Sequence, residues 1–284
     1  MDELRIALEL ATEEELNHLS QILFTRRFNP LDYLQKIPQP QEIANQAWQD
    51  KLDTLDRRFR YLAADGLTVL QGKTEKITYR QILIQVCRYL KIPYSTQMPT
   101  TDIEAEIFLH LMGKAWKKLP RQEQKSLQAN IMRSLSRSRT PEPLPVHLQH
   151  NPLDVILKGS GIVAINSLVK SWLLKHIARQ FALHFTSYQM AKTAIVKSGT
   201  VVAAQISNKL VLKAASRGMA VNAARYGAVK TAFAFLGPVL WASFLADLGW
   251  KAIATNYGRI IPTIVTLAQI RLTRGEEGYC LASC

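Results

Sequence analysis

Asn45-Gln46-Ala47-Trp48-Gln49-Asp50-Lys51-Leu52-Asp53-Thr54-Leu55-Asp56-Arg57-Arg58-Phe59-Arg60-Tyr61-Leu62 decides the fold class. Trp48, Leu52, Leu55 and Phe59 recur at spacings of four, three and four. That spacing puts them on one stripe of an α-helix and is incompatible with the two-residue alternation of a half-buried strand. Asn45 stands where an N-cap belongs.

Working outward toward the N-terminus, Thr12 with Glu15 spells a capping box for a helix carrying Leu16, Leu19, Ile22 and Leu23, and Asp2 is placed to cap a first helix through Leu10. Phe28-Asn29-Pro30 breaks this pattern. In the other direction, the Leu-Thr-Val-Leu alternation inside Gly66–Lys76 reads as a small hairpin, and Tyr79 to Leu90 as a strongly apolar helix. Thr101 with Glu104 is expected to cap the next helix, through Phe108, Leu111 and Trp116, with Asp102, Glu104 and Glu106 as first-turn charges. Pro120 is placed to open a further helix ending near Leu135.

Ser136 to Pro152 holds Pro141, Pro143, Pro145 and Pro152 and reads as a linker without a packed element. The reading is therefore all-α: an N-terminal helical module (1–135), a Pro-rich linker (136–152), a basic, apolar C-terminal helical bundle (153–275) and a tail (276–284). Within the second module, Val155 to His184 gives one or two helices, interrupted early by Gly159-Ser160-Gly161. Residues 187–226 give one or two more, and a last apolar helix runs from Ile260 to Leu272, starting near Pro262.

Charge is distributed unevenly. The formal net charge is +14 over 284 residues. Residues 1–140 carry 21 basic and 17 acidic side chains, and residues 141–284 carry 15 and 5. Between Asp154 and Asp247 there are 92 residues with no Asp or Glu and eleven Lys or Arg. An apolar, acid-free, basic segment suits contact with an anionic surface. On a helical wheel for 209–230, Lys209, Lys213, Arg217 and Arg225 share about 160° of arc. Val211, Leu212, Ala215, Met219 and Ala223 fill the other side. Such a helix is either a lipid-surface helix or a core helix with a basic solvated face.

Small residues recur at four-residue spacing (Gly199 and Ala203; Ala214 and Gly218; Ala220, Ala224 and Ala228), which permits close helix approach in lipid or in a soluble bundle alike. The longest uncharged stretch, Thr231 to Ala246, has sixteen residues and Gly237-Pro238 in its middle. It is shorter than the roughly 20 residues that cross a bilayer as one helix. A short inserting hairpin and a buried helix pair both fit it. The residues assigned to headgroups are Lys192, Lys197, Lys209, Lys213, Arg217 and Arg225. Those assigned to apolar burial are Phe235, Leu236, Val239, Leu240, Trp241 and Phe244.

Signals of catalysis are missing from the sequence. It has no Gly-rich phosphate loop, nucleophile elbow, H-E-x-x-H or clustered carboxylates, and the expectation is a non-enzyme with no cofactor and no metal. His147 and His150 in the Pro-rich stretch lack a third ligand nearby. Cys87 falls in the apolar helical pattern and is expected to be buried and reduced, whereas Cys280 and Cys284 have only loose pair spacing. The opening residues show no secretory signal pattern, so a cytoplasmic start, with peripheral or partly inserted membrane association, is expected.

Thr78-Tyr79-Arg80-Gln81-Ile82-Leu83 and Val86-Cys87-Arg88-Tyr89-Leu90-Lys91-Ile92-Pro93-Tyr94 resemble the YaaW family of uncharacterised bacterial proteins. Asp2-Glu3-Leu4, Ala11-Thr12-Glu13-Glu14-Glu15-Leu16, Leu236-Gly237-Pro238-Val239-Leu240-Trp241 and Arg259-Ile260-Ile261-Pro262-Thr263-Ile264 extend the resemblance over most of the chain. The N-terminal half is most similar to its cyanobacterial branch. The resemblance implies an all-α fold, a distant similarity to ubiquinol–cytochrome c chaperones and an assembly role at a membrane. It brings no catalytic residues.

Three functions follow as expectations. The first is a membrane-associated, chaperone-like protein that binds anionic lipid and, through its N-terminal module, a protein partner of unknown identity. The second is a basic nucleic-acid-binding protein, supported by an isoelectric point near 9.8 but without a recognition or stacking motif. The third is a soluble protein–protein adaptor. The sequence leaves oligomeric state open.

Overall fold

The structure, a computed structural model, describes residues 2–25, 37–65, 68–69, 71–138, 143–144, 146–153, 169–170, 172–181, 183–184 and 256–274. Of these, 77% are helical and none lies in a strand, so the fold is all-α.

Local chemistry sets the first two helices. The Asp2 side chain accepts from the Leu4 N–H and opens α1 (Glu3–Glu9). Thr12 and Glu15 close their capping box on α2 (Glu13–Phe24), whose Leu16, Leu19, Ile22 and Leu23 are all buried. Pro40 then starts the short α3 (Pro40–Ala44), and α4 runs from Trp48 to Ala63.

Asn45 is not the cap of α4, as expected, but the C-terminal cap of α3. The two helices are separate, and α4 begins after Ala47 without a side-chain cap. Leu52, Leu55 and Phe59 of the expected stripe are buried, while Trp48, in the first turn, stays 38% exposed. The expected hairpin near residue 70 does not form. Thr68 and Val69 are helical, Gly72 turns the chain at a φ of 65°, and Thr74–Lys76 is a 3-10 turn. A two-stranded hairpin without a third partner is marginal in water, and local Asp65–Thr68 hydrogen bonding competes with it.

Thr78 and Gln81 cap α5 (Tyr79–Leu90), which ends at Lys91 in the left-handed region. Next, α6 spans Thr100–Lys118. Its cap residue is Pro99, one position before the helix, so Thr101 and Glu104 form no capping box. Pro120 is the N-cap residue of α7 (Arg121–Ser136), one residue outside the helix it was expected to open. The stretch read as an unpacked linker contains α8 (Val146–His150) and contributes Leu148 and Leu153 to the core. Apolar burial outweighs the local Pro content there.

The final element, α9 (Tyr257–Arg274), organises the molecule. It starts five residues before Pro262. Gly258 sits at the position four residues back, where the proline ring crowds the helix and removes a hydrogen bond. All fourteen residues from Arg259 to Leu272 are buried. A helix buried on every side belongs in the middle of a bundle, and α9 packs against α1, α2, α4 and α6. Tyr257 also stacks on Tyr89 of α5, with centroids 4.1 Å apart. The sequence division placed α9 in the second module, yet it fills the core of the first.

Candidate functional site

All twelve residues assigned to lipid contact (Lys192, Lys197, Lys209, Lys213, Arg217, Arg225, Phe235, Leu236, Val239, Leu240, Trp241 and Phe244) lie outside the described residues, as does the apolar stretch 231–246. What the structure brings together is a buried polar centre and a polar seam beside α7.

The centre lies where α9 crosses the N-terminal helices. Arg271 donates from Nε to Glu104 Oε1 at 3.2 Å and from Nη2 to the Glu3 carbonyl at 2.7 Å. Tyr79 Oη donates to Glu104 Oε2 at 2.7 Å. Glu104 is 0% exposed, so the expected first-turn surface charge is instead a buried ion-pair partner. One turn on, Arg274 pairs with Glu15, donating from Nη2 to Oε1 at 2.8 Å, and also reaches the Leu10 carbonyl. Glu15 still serves its capping box, accepting from the Thr12 N–H at 2.7 Å. Two carboxylates and two guanidiniums thus tie α9 to α1, α2, α5 and α6 through charge-assisted bonds.

Sequence reasoning missed Glu104, although a signal existed. Glu104, Phe108, Leu111 and Ala115 recur at helical spacing, and all four are buried. The stripe is therefore the core face, and an acid on it demands a cation from elsewhere in the chain.

Other cations in the N-terminal helices are similarly engaged. Lys51 is 1% exposed and donates to the Ala44 carbonyl, Asn17 and Glu13. Arg58 donates to the Leu23 carbonyl, with its guanidinium 5.5 Å from the ring centroids of both Phe24 and Tyr61. These groups add formal charge to the chain without adding it to the surface.

The seam is built by the helical residues 172–181 and the next residues to 184, lying on α7. Leu173, Leu174, Ile177, Ala178 and Phe181 are buried in the common core, and Phe181 meets Trp116 of α6. Along the edge, Ser134 Oγ and His176 Nδ1 are 2.8 Å apart, and His184 Nε2 lies 3.3 Å from Glu123 Oε2. Trp172 packs on the His176 ring. Lys170, itself helical, pairs with Asp102 of α6 at 3.4 Å. Burial, followed by Arg179 and Lys175, pushes the His176 pKa below its ordinary value. Burial, helped by Lys114 and Lys117, takes His110 of α6 down to about 4. Both rings are therefore neutral near pH 7.

A serine hydroxyl on an imidazole is the geometry of a nucleophile with its base. Here the pair joins two helices at their edge, and the His176 ring also packs on Trp172. Among the described residues no cluster of metal-ligating side chains occurs. His150 Nδ1 donates to the Val146 carbonyl of its own helix. Cys87 is buried as expected, and burial raises its thiol pKa to about 12.

Comparison with known proteins leaves the family question where the sequence put it: no family model, curated protein or solved structure matches this chain.

Proposed function

We propose that this is a non-enzymatic helical protein that associates with anionic membrane lipid through its basic, acid-free segment, and that it serves the assembly or maintenance of a membrane system. The observation that carries the reading is the run between Asp154 and Asp247, with eleven basic residues and no acid. Ordinary soluble surfaces mix signs, and a mixed surface is neither drawn to nor held at an anionic plane. Lys170 pairs with Asp102, and the headgroup role is assigned to Lys192, Lys197, Lys209, Lys213, Arg217 and Arg225.

Charge alone recruits weakly. Burying Phe235, Leu236, Val239, Leu240, Trp241 and Phe244 at roughly 1.5–3 kcal/mol each would retain the protein once recruited. Among the described residues no helix is long and apolar enough to cross a membrane, which is compatible with lying on the surface or with hairpin insertion of 231–246. The resemblance to the YaaW family and its chaperone-like relatives supports an assembly role.

Flotation of the full chain with vesicles of graded anionic content tests the proposal. Binding that rises with the anionic fraction and falls in Lys209→Glu/Lys213→Glu/Arg217→Glu is expected. Binding indifferent to lipid charge, or none, ends the reading. Salt-sensitive binding to duplex DNA in its place would favour a nucleic-acid partner.

A further inference from the structure

The exposed side of α7 continues the basic character into the N-terminal module. Arg121, Lys125, Arg133 and Arg137 are all exposed. At 100° per residue they fall within about 160° of arc. Gln122, Ser126, Ala129 and Ser136 share that face and are also exposed. Leu127, Ile131 and Leu135 occupy the opposite side and are buried.

Glu123 is the one acid in the helix. It lies about 120° round the helix from the middle of the basic face, where it meets His184 with only 11% of its side chain exposed. None of the four cations has a carboxylate three or four positions away on the helix, the spacing at which side chains pair. The result is three cations on a sixteen-residue helix, about 24 Å long, and a fourth at its C-cap, spread round one face and carrying one sign of charge.

We infer that this face of α7 is a second contact surface for anionic lipid headgroups. The inference rests on the membrane reading above and adds a site to it that involves none of the residues proposed there. Charge complementarity selects an anionic partner. The make-up of this face favours headgroups over a nucleic acid. The face carries no aromatic side chain on which a base could stack, and guanidinium and ammonium groups spread along one helix face address an array of phosphates. Position agrees with this choice. The other side of α7 holds the 172–184 segment through Ser134–His176 and Glu123–His184, and that segment leads in chain order into the rest of the acid-free run.

The test compares the full chain with a variant carrying Arg121→Gln, Lys125→Gln, Arg133→Gln and Arg137→Gln, and with Arg121→Lys/Arg133→Lys/Arg137→Lys, which keeps the charge. Binding to phosphatidylcholine vesicles with and without phosphatidylglycerol is measured alongside thermal unfolding. All four positions are exposed, so unfolding midpoints matching the wild type are expected. Each lost charge is expected to weaken binding to anionic vesicles roughly fivefold, the equivalent of about 1 kcal/mol. The Gln variant then falls by roughly several hundredfold and the Lys variant stays near wild type. Wild-type binding that is charge-dependent and unchanged in the Gln variant overturns this inference and leaves the membrane reading standing. Wild-type binding that ignores lipid charge overturns both. Loss of duplex DNA binding in the Gln variant, with vesicle binding intact, assigns the face to nucleic acid and also overturns the inference.

Discussion

The two places where late chain segments meet the N-terminal helices are held by different chemistry. Helix α9 enters the core and is pinned by Arg271–Glu104 and Arg274–Glu15. The 172–184 segment lies along α7 and α6 and is pinned at its edge by Ser134–His176 and His184–Glu123. A guanidinium keeps its charge at any physiological pH, whereas an imidazole changes charge between about pH 5 and 8. The inner contact joins guanidiniums to carboxylates, and the outer one depends on two imidazoles. Depth differs as well. Glu104 and Arg271 are 0% and 2% exposed, so neither can turn to water if its partner is lost. Ser134 and His176 are only half-buried and can rehydrate.

The largest expected effect breaks the inner contact. Glu104→Ala leaves the Arg271 charge buried and unopposed, and the unfolding free energy from urea titration is expected to drop by about 3–5 kcal/mol. Replacing both partners together, Glu104→Leu with Arg271→Met, is expected to recover much of that loss, because a buried pair is replaceable by apolar packing. A double variant as unstable as the single one would show that Tyr79 and the Glu3 carbonyl need the pair for their own satisfaction.

Ile177→Ala removes a fully buried side chain from the outer contact. It is expected to cost about 2–4 kcal/mol. Hydrogen exchange should show the loss concentrated in 172–184 while the amides of α9 keep their protection. Uniform loss in both places would mean that the two contacts unfold as one unit.

The third expectation concerns pH. The His110 pKa is lowered to about 4 from an ordinary 6.5. Above 6.5 both folded and unfolded rings are neutral and the group adds no pH dependence. As pH falls from 6.5 toward 4, the unfolded chain takes up a proton that the folded ring refuses, so stability declines and then levels off. After allowance for partial contact with water, the loss is expected to reach about 1–2 kcal/mol. His176, lowered in the same direction by burial, Arg179 and Lys175, acts in the same sense. The wild-type minus His110→Gln difference in unfolding free energy, measured at steps from pH 7 to 4, isolates the first ring, and an NMR titration of the His176 ring protons reports the second. A flat difference, or a His176 midpoint above 6.5, contradicts the neutral, docked state of these rings.

The smallest effect is chemical. Cys87 is fully buried, with its thiol pKa raised to about 12. It should react with a thiol reagent at the rate of unfolding and with no burst in the native protein.

Much of the architecture was legible from the residues. The stripes at Leu52–Leu55–Phe59 and Leu16–Leu19–Leu23, the Thr12–Glu15 box and the Asp2 cap are interactions between positions three or four apart, and a helix forms or fails on that scale. The acid-free run was plain for a similar reason, since composition is additive along the chain. The basic face of α7 is equally readable, since it too is a matter of helical spacing.

The sequence by itself determined that the chain is helical, where several helices begin, and that its positive charge is concentrated late. Only the tertiary structure decided that α9 is the centre of the N-terminal bundle, that Glu104 and Arg271 meet across 167 positions, and that Ser134 finds His176. Helix periodicity reports which side of an element is buried but not what lies against it. A buried carboxylate and a surface carboxylate look alike in the sequence until the opposing cation, brought from the far end of the chain, is in place.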